Sequence, residues 1–126
     1  MAIGKYSHAE GDNSVTLGND SHAEGYGTVA FGNASHAEGS GAVAFGLASH
    51  AGGSSCTAAG DASFAHGTGT QALGTHSAAF GNNTKTSRDN SFVIGTYNRD
   101  NGAIFAIGNG TGDAYKERSN LFEIHY

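Results

Sequence analysis

The sequence predicts an all-β fold: a parallel β-roll solenoid with 14-residue coils, followed by a short non-repeat β cap at the C-terminus. Three observations carry this. The string SHAEG recurs at Ser7, Ser21 and Ser35. Between these copies lie weaker versions of the same unit, SVTLG from Ser14, TVAFG from Thr28 and AVAFG from Ala42. The register also survives without insertion through Ser49, Ser63, Ser77 and Ser91, with a glycine closing each unit at Gly11, Gly25, Gly39, Gly53, Gly67, Gly81 and Gly95. A fixed short period of this kind marks a stacked-repeat architecture.

Helical repeats are excluded by the short period and by the glycine content, since each interior glycine costs a helix ~1 kcal/mol. Each seven-residue half-coil instead alternates with period two over five residues and then turns. Two such strands and two turns make one coil, and coils stacked at ~4.8 Å give two facing parallel sheets. Low complexity alone would fit disorder. However, a strict period with 37% hydrophobic residues argues for a solenoid.

The elements follow in order. Residues 1–6 form a lead-in, with Ile3 and Tyr6 expected to cover the open first coil. Residues 7–95 form the roll. Its first and third strand positions are small throughout (Ser7 and Ala9, Ser14 and Thr16, Ser21 and Ala23, Thr28 and Ala30), as a thin interior requires. Cys56, the sole cysteine, falls in such a position and is read as a buried small side chain. Residues 96–126 break the period and form a cap or transition module. Within it a hairpin-like turn is expected at 97–102, strands at 103–107 and 121–126, and an apolar core from Ile104, Phe105, Ile107, Leu121, Phe122, Ile124 and Tyr126.

Positions two and four point outward, and the two sheets differ there. The first presents His8 and Glu10, His22 and Glu24, His36 and Glu38, then His50. The second presents Val15 and Leu17, Val29 and Phe31, Val43 and Phe45. This second face is an apolar stripe on a body too thin to bury it, which marks an interface. Self-association with closed symmetry covers it most simply, and two or three subunits both satisfy the geometry. From Ser49 onward the large apolar residues pass to the first sheet, through Phe64, Phe80, Phe92 and Ile94.

Several function classes are excluded or disfavoured. Net charge is −5 and the basic residues are scattered, so no patch attracts nucleic acid. No apolar run approaches the ~20 residues of a membrane helix, and no signal peptide opens the chain. The abrupt start and end read as a fragment of something larger. His22 and Glu24 share a face, but no pocket surrounds them and no catalytic residue is assigned. The Walker spacing and the nonapeptide calcium repeat are both missing. No metal or cofactor is expected, because a flat row of imidazoles lacks the three or four ligands of a metal site. The ladder from His8 to His50 is read first as a solvated column, then as a subunit contact, and last as a ligand surface.

The SVTLG, TVAFG and AVAFG units alternating with SHAEG resemble the head repeats of trimeric autotransporter adhesins, the YadA-like heads. The resemblance covers about Ser7 to Gly95. It implies a left-handed β-roll, three rolls side by side, with Val15, Leu17, Val29, Phe31, Val43 and Phe45 lining the trimer centre. His8, Glu10, His22, Glu24, His36 and Glu38 then face solvent. The repeats are also similar to those of tail-fibre proteins in phages and prophages of Gram-positive bacteria, whose following module resembles AIFAIGNGTGDAYKERSNLFEIHY. The resulting expectation is a structural and host-attachment segment of a trimeric phage or prophage tail fibre. The alternatives are the head of a bacterial trimeric surface adhesin or a trimerisation spacer without a ligand. The expected partners are two further copies of the chain and a bacterial cell-surface glycan or protein receptor. The expected location is a virion tail or the extracellular cell surface.

Overall fold

A computed structural model describes residues 1–126. The chain forms fifteen strands and no helix. In order they are β1 (His8–Asp12), β2 (Val15–Thr16), β3 (His22–Tyr26), β4 (Val29–Ala30) and β5 (His36–Ser40). There follow β6 (Val43–Ala44), β7 (His50–Ser54), β8 (Thr57–Ala58), β9 (Phe64–Thr68) and β10 (Gln71–Ala72). The last are β11 (Ala78–Asn82), β12 (Lys85–Thr86), β13 (Phe92–Thr96), β14 (Phe105–Asn109) and β15 (Asn120–Ile124).

The odd-numbered strands through β13 stack in parallel and continue into β14 and β15, a nine-stranded sheet, while β2 to β12 form a six-stranded one. Register is one full coil at each step: His8 faces His22, His22 faces His36 and His36 faces His50. The solenoid with 14-residue coils is therefore present. The two sheets are unequal, however. Strands of the first are five residues long, whereas those of the second are two, shorter than the five expected from the alternation. The chain bends after the second strand: the N–H groups of Phe31 and Gly32 both reach the carbonyl of Ala44, which ends the regular ladder.

The interior is thin and filled by methyl groups and hydroxyls. Ala23, Ala30, Ala37, Ala44, Ala51, Ala58, Ala65, Ala72 and Ala79 are fully buried, as is Cys56. Ser21, Ser35, Ser49 and Ser77 each donate a hydrogen bond to the glycine carbonyl three residues earlier, at 2.6–2.7 Å. The Thr28 hydroxyl donates to Ser14 Oγ at 2.9 Å. These bonds satisfy polar groups that would otherwise be costly to bury.

The corners are set by left-handed backbone. Asp20, Ala34, Ala48, Ala62, His76 and Asn90 recur at φ of 51–56°, a region that L-residues with a Cβ enter at a cost. In the closing-glycine column, Gly39 sits at φ 99° and a Cβ there would stand 2.2 Å from the carbonyl oxygen of Gly53. No other residue fits.

At the N-terminal end the cover differs from the expectation. Ala2 bridges to Thr16 and the Ile3 N–H bonds the Thr16 carbonyl, so backbone rather than side chains pairs the second sheet's first strand. Ile3 and Tyr6 are both exposed, Tyr6 at 89%.

At the C-terminal end, residues 97–102 are not a hairpin turn, because β13 and β14 are parallel and pair Phe92 with Phe105. The roll's first sheet thus takes one more parallel strand on a 13-residue step, and only β15 runs antiparallel. The second sheet stops at β12. There the buried Asn98 side chain accepts from the Lys85 N–H at 2.7 Å and donates to its carbonyl at 2.8 Å, standing in for a strand. The expected apolar core of this segment is not formed: Leu121, Phe122, Ile124 and Tyr126 are exposed. What is buried in it is Asn98, Ala103, Ala106, Gly108 and Gly110, next to Val93 of β13.

Candidate functional site: the histidine–glutamate face and the apolar stripe

Parallel register turns each repeated residue into a column. On the first sheet, successive imidazoles lie 5.1 Å apart between His8 and His22, 4.8 Å between His22 and His36, and 4.7 Å between His36 and His50. A run of neighbouring rings then continues through Phe64, Phe80, Phe92, Phe105 and Phe122 at centroid spacings of 4.5–6.1 Å, stepping to the adjacent column at Phe80, which is in register with His66. Alongside runs the carboxylate column Glu10, Glu24 and Glu38.

The carboxylates interleave between imidazoles of neighbouring coils. Glu10 lies 3.3 Å from His8 Nε2 and 3.8 Å from His22 Nε2. Glu24 lies 3.4 Å from His36 Nε2, and Glu38 lies 3.3 Å from His50 Nε2. The hydrogen bond with His8 holds the Glu10 carboxyl below the usual carboxylate range. Burial, reinforced by the charge of His36, pushes His50 below the ordinary histidine value, against the opposing pull of Glu38. Alternation along the sequence puts His66 on this outward face beside Phe64 but leaves it out of the histidine–glutamate ladder. His66 Nε2 comes within 3.9 Å of Glu38 because Gly52 lies between them. A Cβ on Gly52 would stand 2.7 Å from the His66 ring and 3.0 Å from Glu38 Oε1. The signal was available, as His66 follows Glu38 by two whole coils. The Glu column and its glycines Gly11, Gly25, Gly39 and Gly53 border an open trough of about 550 Å³.

The second sheet carries the other feature. Val15, Val29 and Val43 are half-buried, while Leu17, Phe31 and Phe45 are exposed at 38%, 52% and 49%. The Phe31 and Phe45 rings are 5.7 Å apart. From β8 onward this face turns polar, with Thr57, Gln71 and Lys85 in register on the column of Val43.

A roll with alanine inside, glycine at the corners and outward columns on a 14-residue step is what the family models register. The model described as the YadA head domain repeat matches residues 1–21, 23–49 and 72–98, more than half of the chain. The chain belongs to the YadA head family. YadA-head modules are structural, adhesin-type β-solenoids without catalytic activity. The match lapses over residues 50–71, where the stripe gives way at Thr57 and Ala59, yet the YadA-head backbone runs on unbroken through β7 to β10. No curated protein matches the chain. No helix is long and apolar enough to cross a membrane.

Proposed function

We propose that this chain is a head segment of a homotrimeric bacterial surface adhesin, a stiff rod that presents its outer sheet to a cell-surface glycan or protein receptor. One observation carries the reading. The stripe of Val15, Leu17, Val29, Phe31, Val43 and Phe45 is apolar and solvent-facing on a roll whose interior is already full. Such a patch needs a partner, and a repeated straight stripe fits copies of itself around a closed axis. Family membership favours the adhesin setting. Three copies around that axis put the histidine–glutamate face outward, and triple presentation raises avidity without new contacts.

In this reading residues 7–95 are the rod and residues 96–126 its cap or transition module. A phage or prophage tail fibre is the second reading, favoured by the resemblance of residues 103–126 to the module that follows such repeats there. A spacer with no ligand is the third.

The test is the mass of the full chain in solution by light scattering. A three-chain mass that falls to one chain on Phe31→Asp, but not on His22→Ala, is expected. A stable wild-type monomer overturns the reading. Flanking genes separate the settings: a membrane-anchoring β-barrel marks the adhesin, and tail or baseplate genes mark the fibre. Glycan and protein arrays separate either from the spacer.

A further inference from the structure

The first three coils bring together more than a row of imidazoles. In three places two histidines of adjacent coils and the glutamate beside them hold their donor atoms within 4.8 Å of one another: His8, Glu10 and His22; His22, Glu24 and His36; His36, Glu38 and His50. The flat row has become a set of triangles. A zinc-class ion bound at ~2.0–2.1 Å in tetrahedral geometry spaces its donors by about 3.3 Å. Four carboxylate–imidazole edges already measure 3.3–3.8 Å, both edges of the first triangle and one edge each of the second and third. The remaining edges, all within 4.8 Å, close by rotation of side chains that lie on the outer surface.

A second observation points the same way. The Nε2 atoms of His22 and His36 are shut off from water and have no hydrogen-bond partner. An unsatisfied buried nitrogen is costly, and a bound cation satisfies it. The two orphan atoms meet in the middle triangle, and each also belongs to one outer triangle, His22 to the first and His36 to the last.

We propose that this face binds divalent transition-metal ions of the zinc class, two per chain, one held by His8, Glu10 and His22 and the other by His36, Glu38 and His50. The count follows from sharing. The middle triangle borrows His22 from one neighbour and His36 from the other, and each imidazole offers a single Nε2 to the carboxylate side. Filling both outer sites empties the middle one, and each ion takes one orphan nitrogen. Two imidazoles and one carboxylate suit zinc, copper or nickel, while the hard oxygen-seeking ions calcium and magnesium are poorly served. The fourth coordination position of each ion faces the solvent above the glutamate trough, open to water or to a donor from a docked surface.

The proposal rests on the first sheet lying on the outside of the assembly, so oligomeric mass is measured on the same samples. The experiment is equilibrium dialysis and calorimetry of the full, metal-stripped chain with zinc chloride alone, and with calcium chloride in parallel. Wild type is expected to take up two zinc ions, His22→Ala one, His36→Ala one and the double variant none. Glu24→Gln is expected to keep two, because the middle triangle is redundant. Glu10→Gln and Glu38→Gln are each expected to weaken one site by about tenfold or more. Circular dichroism confirms that each variant keeps its fold. Zero zinc in wild type, uptake unaltered in the double variant, equal loss on Glu24→Gln and Glu10→Gln, or calcium uptake equal to zinc would each overturn the proposal. If the mass is that of a trimer and zinc is absent, the metal inference fails while the adhesin reading stands.

Discussion

The first sheet is one backbone carrying two surfaces. Over β1 to β7 it shows histidine and glutamate, and over β9 to β14 mainly phenylalanine and isoleucine, with His66 the last histidine, in the same register and with inward alanines throughout except Val93. The second sheet reverses the order, apolar first and polar after Val43. The apolar surface therefore crosses from one sheet to the other partway along the rod. Inward side chains and corners fix the coil, and the outward positions are free to vary. The YadA-head match covers both arrangements, over residues 1–21 and 23–49 and again over 72–98, and lapses at the crossing between them, where the coil itself is unchanged.

The sharpest way to break the comparison is to strike backbone and surface in adjacent coils. Gly39→Val places a Cβ against the Gly53 carbonyl at φ 99°. It is expected to cost about 3 kcal/mol or more and to abolish cooperative thermal unfolding. His22→Ala, on the neighbouring strand's outer face, is expected to stay within about 0.5 kcal/mol. Equal losses would show that the outer columns hold the coil after all.

The next effect sharpens the crossing. Phe31→Asp, in the N-terminal half of the stripe, is expected to dissociate the assembly, while Gln71→Asp on the polar half of the same sheet leaves its mass unchanged. Loss of assembly in both would place the contact along the entire sheet. A milder effect is pH-dependent and belongs to the junction of the two surfaces. His50 sits between His36 and Phe64, and burial depresses its folded value. Its stabilising contribution is complete above the unfolded histidine value of about 6.5 and declines as the pH falls through that value toward the depressed one. The melting temperature should drop over this window, and His50→Phe, which extends the phenylalanine column by one ring, should flatten the slope. The smallest change is at a corner. Ala48 holds φ at 53°, and Ala48→Gly should raise stability by up to about 1 kcal/mol in denaturant unfolding.

Much of this was legible because the chain states each rule seven times. Inward Ser and Ala, the closing glycines and the burial of Cys56 follow from register alone. The faces of His22 and Val29 follow from alternation. Less legible was whatever occurs once. Asn98 imitates a strand by bonding both peptide groups of Lys85, although it sits one whole coil after the inward Thr84. The exposed Leu121 and Phe122 looked like core because apolar residues near a chain end usually pack inward, and here the alanine interior leaves no room for them. The triangles of donors depend on the rotamers of Glu10 and Glu38, which a column of letters does not specify.

The reversal of β15 has a consequence for solubility. A parallel solenoid presents at each end an unpaired edge that can template another copy, so rods of this kind are prone to join end to end into fibrils. Running β15 against β14, with Asn98 closing the shorter sheet one step earlier, leaves the two sheets ending at different heights and in opposite senses. A second rod stacked here meets an antiparallel strand in one sheet and a side-chain amide in the other, so the parallel ladders of the two sheets do not simply continue from this point.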